Sequence, residues 1–263
     1  MKVMKFGGGC LKNADTLERV VAVVVRERRK PAVVVSAFQG VTDALIESTE
    51  AARSDERTIA DRIARLWERH LKVAERAIRD DAVRTETLRA LGAALLRAER
   101  LLYGIAYTGE TGPAIRNQVL SYGERLAARL VAGAVRSRGI AARALDSDRI
   151  GMTTDDNLEN ATADLARFRR SFRRTAAEIR RGRYVPVLTG FFGATPEGRV
   201  SLFGRNGSDY SAAVLAHGLE ARSLEIWKDV GGFMSADPGA VRVARKIDRL
   251  SYYEAAELSY FGA

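Results

Sequence analysis

Apolar residues follow two rhythms along this chain. Short unbroken runs, Val3-Met4 with Phe6, Ala32-Val33-Val34-Val35, Val185-Pro186-Val187-Leu188 and Leu224-Glu225-Ile226-Trp227, read as strands. Unbroken rather than alternating character predicts a parallel sheet buried on both faces. Val200 to Phe203 and Ala141 to Leu145 read as two further short strands. Between the runs, apolar residues recur every three or four positions. Leu17, Val20, Val21, Val24 and Val25 mark a first helix, with Asn13 or Asp15 as its cap. Leu45 and Ile46 mark a second.

From about 57 to 106 the pattern is purely helical, carried by Ile59, Ile63, Leu66, Trp67, Leu71, Leu88, Leu91, Leu95 and Leu96. It predicts a helical insertion. Residues 109–113 read as a loop, and 114–138 as one long helix interrupted at Gly123, with Glu124 exposed to whatever approaches that glycine. Leu165, Phe168, Phe172, Ala176 and Ile179 predict an amphipathic helix, Ser211 to Leu219 another, and Ser251 with Glu254 caps a last helix over 252–260. The expected architecture is α/β, a parallel-dominated sheet between helices with a helical insertion.

Charge changes this picture little. The net charge is +10, and eight arginines fall between Arg167 and Arg183. They lie opposite that helix's apolar stripe, so a solvated face is expected rather than a nucleic-acid groove. No apolar run reaches the ~20 residues of a membrane span, and no signal-peptide layout opens the chain. A single cysteine, Cys10, fits a reducing cytoplasm. With two histidines, it makes a protein zinc site improbable. His70 has no partner histidine at i+4 and reads as structural.

Candidate chemistry lies where strands meet glycine. Lys5-Phe6-Gly7-Gly8-Gly9-Cys10 fits a phosphate-approaching loop and a plain strand-to-helix turn equally well. It is not the Gly-Lys-Ser/Thr P-loop, and no Gly-x-Gly-x-x-Gly is present in the first βα unit. Gly190 to Gly193 forms a second such segment. The third, Gly204-Arg205-Asn206-Gly207-Ser208-Asp209-Tyr210, adds an arginine suited to bidentate oxyanion binding and an acid at a helix start. Lysine, arginine, backbone amides and Mg²⁺ carried on a nucleotide suffice for phosphoryl transfer.

In order along nearly the whole chain, these segments resemble the aspartate kinases of the amino-acid kinase superfamily. Lys5-Phe6-Gly7-Gly8 resembles the family's opening Lys-Phe-Gly-Gly-Thr-Ser. Val35-Ser36-Ala37 with Gly40-Val41-Thr42 resembles its Ser-Ala…Gly-Val-Thr segment, and Ser121-Tyr122-Gly123-Glu124 its Ser-x-Gly-Glu. Gly190-Phe191-Phe192-Gly193 and Gly204 to Tyr210 resemble Gly-Phe-x-Gly and Gly-Arg-Gly-Gly-Ser-Asp-Tyr. Trp227-Lys228-Asp229-Val230 with Ala236-Asp237-Pro238 resembles the nucleotide loop; Lys246-Ile247-Asp248 and Phe261-Gly262-Ala263 close the series.

The resemblance implies the amino-acid kinase fold and ATP- and Mg²⁺-dependent phosphorylation of the β-carboxylate of L-aspartate. It implies Lys5 and Asp209 as catalytic residues, the lysine neutralising the transferring phosphate and the aspartate orienting it. Ser36, Thr42, Glu124 and Arg205 would contact the substrate, Glu124 its ammonium and Arg205 its α-carboxylate. Lys5, Gly7, Gly8, Gly9, Gly207, Ser208, Lys228, Asp229, Met234 and Asp237 would line the ATP site, with no protein metal site. The nucleotide-binding part would span about 184–263.

Gly9-Cys10 stands where the family has Thr-Ser, Asp43 and Asn206 where it has asparagine and glycine. Lys228, Gly231 and Met234 replace threonine, proline and tyrosine. Residue 263 falls where the family continues, so a C-terminally incomplete catalytic domain without regulatory domains is expected, in a homo-oligomer or beside a complementary chain. Two alternatives stay open: a kinase of another small carboxylate, and a catalytically weak nucleotide-binding subunit.

Overall fold

The computed structural model describes residues 1–229, 231–236, 241 and 243–260, with backbone alone at 256, 259 and 260. The chain divides into two compact units, Met1–Trp227 and Lys228–Ala263.

The first unit is built on strands β1 (Lys2–Phe6), β2 (Ala32–Val35), β3 (Ala142–Leu145) and β4 (Val185–Thr189). Two hairpin strands follow, β5 (Phe192–Ala194) and β6 (Val200–Leu202), and then β7 (Ser223–Trp227). The main sheet runs β3-β4-β2-β1-β7 with every pairing parallel. The pleat sends neighbouring residues to opposite faces. Met4, Phe6, Val33, Val35 and Val187 join one core cluster, while Val3, Val34 and Leu188 join the other. Unbroken apolar runs are what such two-sided burial requires.

Helices α1 (Ala14–Arg26), α2 (Val41–Ser54), α3 (Thr58–Ala77), α4 (Asp81–Thr108), α5 (Pro113–Leu120) and α6 (Tyr122–Arg136) contribute to the first cluster. Helices α7 (Leu165–Arg180) and α8 (Gly207–Gly218) cover the other face. Asn13 caps α1 reciprocally with Thr16, whose amide donates to Asn13 Oδ1 at 3.0 Å. Among the described residues no helix is long and apolar enough to cross a membrane. In the second unit Met234 bridges Lys246, and Ser251 and Glu254 cap α9 (Tyr252–Tyr260) reciprocally.

Four sequence expectations need correction. The helical stretch 114–138 is two helices that part at Ser121, not one interrupted at Gly123. The Ser121 hydroxyl donates to Gln118 O at 2.7 Å and accepts from Arg125 Nε, so the serine serves both segments. Helix α8 begins at Gly207, four residues before the predicted start, because Gly-Ser-Asp, read as loop, occupies its first turn. Gly190 to Gly193 does not merely end a strand: Phe192 opens the antiparallel hairpin with β6. Leu165 shares the phase of the buried Phe168 and Phe172 yet is 45% exposed. Phase alone does not bury a residue at a helix end.

Candidate active site

The strands of the main sheet end level with one another. Phe6 is opposite Val35 and Trp227, and Val35 is opposite Thr189. The turns after β1, β2 and β4 therefore emerge along one carboxyl edge, where parallel α/β sheets place ligands. Lys5, Gly7 to Gly9, Ser36 and Gly190 all lie there by topology alone.

Lys5 points to the face covered by α8. Its Nζ meets Asp209 Oδ1 at 2.5 Å, with the two side chains only 6% and 19% exposed. A cation held so far out of water stays in place because its partner is rigid, and Asp209 sits in the first turn of α8. From the opposite face α6 brings Glu124, 3% exposed. The amide of Ala37 donates to Glu124 Oε1 at 3.0 Å, while Oε2 is buried with no hydrogen-bond partner among the described residues. Burial pushes the Glu124 carboxyl up to about 8, against the opposing pull of the Ala37 amide and the Lys5 charge. A buried acid with one idle oxygen is poised for a cationic donor.

Gly123 makes that approach possible. A Cβ there would lie 2.8 Å from Ala37 Cβ and 3.7 Å from Thr42 Oγ1. Helix α6 thus presses on the turn carrying Ser36 and Thr42, both half-buried. The same turn closes over the first glycine segment, whose Gly8 would place a Cβ 3.3 Å from Ala37 O.

Not every glycine amide in these loops is available. Gly7 N–H donates to Trp227 O and Gly207 N–H to Gly204 O, each at 3.1 Å. The amides of Gly8, Gly9 and Ser208 have no partner among the described residues. Arg205 is exposed and makes no ion pair among them. Lys228, Asp229 and Met234 belong to the second unit, the first two exposed and Met234 half-buried. Asp237 lies outside the described residues.

Three contributors escaped the sequence. Phe191, between Gly190 and the hairpin, has φ +73, a conformation costly for an aromatic residue. Its amide donates to Ser211 Oγ at 3.1 Å, and its carbonyl accepts from Phe203 N–H. These bonds hold the strained residue against α8. The helical insertion supplies the other two. Arg69 Nη2 donates to Gln39 O, and His70 packs edge-on to Phe38 with ring centroids 6.0 Å apart. Desolvation lowers the buried His70 imidazole to about 4, so it is neutral near pH 7. The Arg69-His70 pair alone carries no sequence signal of this role.

A buried lysine–aspartate pair and a buried acid thus lie together along the carboxyl edge of a parallel sheet. Residues 1–263 match the amino acid kinase family, and the chain belongs to it. It is 34% identical over 270 residues to the aspartokinase of Schizosaccharomyces pombe, covering 99% of this chain and 51% of that protein. With lysine-sensitive aspartokinase 3 of Escherichia coli it shares 31% over 273 residues, 99% of this chain and 56% of that one. The crystal structure of E. coli aspartokinase III in complex with aspartate and ADP superposes with a TM-score of 0.86 at 29% identity, covering all of this chain and 57% of the other. The chain spans about half the length of the curated relatives it matches.

Proposed function

We propose that this chain is the catalytic part of an ATP-dependent kinase that phosphorylates the β-carboxylate of L-aspartate. The observation that carries the reading is the convergence of the buried Lys5–Asp209 pair with Glu124, whose second carboxylate oxygen is idle. Aspartate brings an ammonium and two carboxylates, and the candidate residues offer a matching acid and cations. The relatives' names point to the same substrate.

In this reading Glu124 receives the substrate ammonium, whose charge draws the carboxyl back toward its ionised form. Arg205, exposed and without an ion pair among the described residues, clamps the α-carboxylate, with Ser36 and Thr42 as hydroxyl contacts. A β-carboxylate oxygen attacks the γ-phosphorus, the bond to the bridging oxygen of ADP breaks, and ADP leaves. Lys5 neutralises charge on the transferring group and Asp209 fixes its position. The amides of Gly8, Gly9 and Ser208 donate to phosphate oxygens. Gly7 and Gly207, whose amides are engaged within the protein, serve by allowing close approach.

Among the described residues no three acidic, histidine or cysteine side chains converge on one point. Mg²⁺ in this reading enters on the nucleotide phosphates, as its preference for oxygen ligands allows. The test is formation of aspartyl hydroxamate from aspartate, ATP, Mg²⁺ and hydroxylamine. Folded protein that binds ATP and yields no hydroxamate would remove the proposal.

A further inference from the structure

On the far side of α6 from Glu124 lies a cavity of about 630 Å³ that the proposed reaction does not use. One wall is apolar: Ala93 and Ala94 of α4 face it, with Ala114 and Ile115 of α5. Four small or aliphatic residues leave room for a body rather than filling it. The volume lies within the ~300–1,000 Å³ of small-molecule sites. The other wall is charged, with five arginines against two aspartates, a surplus of three positive charges.

The two aspartates are already committed. Arg125, 8% exposed, takes Asp146 at 2.8 Å and Asp148 at 2.9 Å and stacks over Phe192. Arg129 forks onto the two oxygens of Asp146 at 3.0 and 3.1 Å. That leaves three arginines at the rim. Arg97 has no ion-pair partner among the described residues. Arg149 reaches Asp148 only at 3.5 Å, and Arg199 reaches Glu197 only at 3.8 Å. A second observation is independent of this charge. Asp148, with its side chain 8% exposed, keeps a buried oxygen, Oδ1, that has no hydrogen-bond partner among the described residues.

We propose that this cavity binds a small organic anion with an apolar body and one hydrogen-bond donor. The rim arginines take its acid group, the alanine wall its body, and Asp148 Oδ1 its donor. Inorganic phosphate meets only the first requirement, since it leaves the apolar wall wet. The α6 backbone separates this cavity from the Glu124 side, so the ligand is distinct from both substrates proposed above.

The probe is 8-anilinonaphthalene-1-sulfonate, which combines a sulfonate, an aromatic body and one N–H. Its fluorescence titration against the whole chain should saturate at one equivalent. Arg97, Arg199 and Ala93 are exposed, so substitutions there leave the fold intact. The R97E/R199E double variant and the Ala93→Trp variant should each weaken binding at least tenfold, with circular dichroism and Tm unchanged. The neutral N-phenyl-1-naphthylamine should also bind at least tenfold more weakly. Lys5→Met should leave the Kd unaltered. Non-saturable binding, an unchanged Kd in either cavity variant, equal affinity for the neutral dye, or a Kd shifted by Lys5→Met would overturn the assignment.

Discussion

Two glycine-containing turns in this molecule show opposite physics. The turn at Gly7 to Cys10 follows β1, an interior strand of the main sheet. Its lysine neighbour is buried and paired, and the backbone at Gly7 is ordinary extended chain, φ −73. Glycine is needed there for space, because Ala37 O lies close to where a Gly8 side chain would begin. The turn at Gly204 to Gly207 follows the short hairpin strand β6. Its arginine is exposed, and its backbone takes left-handed values, φ +70 at Gly204 and +57 at Asn206. Glycine and asparagine are needed there for conformation. One turn adjoins a buried, paired charge; the other presents an exposed cation to water. Glycine content alone does not say which.

The largest effects should come from the buried side. Lys5→Met should lower kcat by roughly 10²–10³ or more, the scale of losing a preorganised charge at a transition state. A loss under tenfold in a hydroxamate assay would show that the buried pair is structural. On the exposed side, Arg205→Ala should raise KM for aspartate about tenfold or more, as loss of a charge-assisted pair does. KM for ATP and Tm should stay put. Equal changes in both KM values would erase the contrast between the turns.

Glu124→Gln separates stability from catalysis. The folded carboxyl sits near 8 against an ordinary 4.5, so the folded state holds its proton longer than the unfolded chain. The contribution of this carboxyl to wild-type stability is therefore fully present below pH 4.5 and is lost as pH rises toward 8. The glutamine variant escapes that loss. Its advantage in urea unfolding should grow from nothing near pH 4.5 to on the order of 3 kcal/mol near pH 8, while activity falls. A constant difference across that range would contradict the buried, protonated acid.

The two smallest effects address backbone. Gly8→Ala pushes a methyl toward a carbonyl that cannot swing away, which should cost roughly 1 kcal/mol and raise KM for ATP. Asn206→Gly only exchanges one left-handed-tolerant residue for another and should change unfolding free energy by no more than about 0.5 kcal/mol. A larger effect at Asn206 than at Gly8 would invert the comparison.

Much of this was legible from residues alone, and the remainder has physical causes. Buried parallel strands read clearly because both faces exclude water, so every residue in Ala32–Val35 is apolar. The carboxyl-edge site followed from motifs placed at strand ends. What failed was punctuation. Ser121 and Gly123 are two residues apart, and glycine looked the stronger breaker, yet the break fell at serine because Gly123 is spent on contact with Ala37. The strain at Phe191 was invisible because no aromatic residue announces a positive φ. Arg69 and His70 were illegible as supports of the Ser36–Thr42 turn because that contact spans some thirty residues and two elements.

The place of β1 in the sheet has a consequence for how the protein comes into being. Residue 2 pairs with residue 223, so the strand bearing Lys5 gains its second neighbour only when nearly the whole first unit has been synthesised. Until then one flank of β1 has unpaired backbone groups, an invitation to wrong partners. Pairings this distant in sequence slow folding, because a long loop must close before any contact rewards it. The strand that carries the lysine proposed to do the chemistry is thus among the last parts of the first unit to be enclosed.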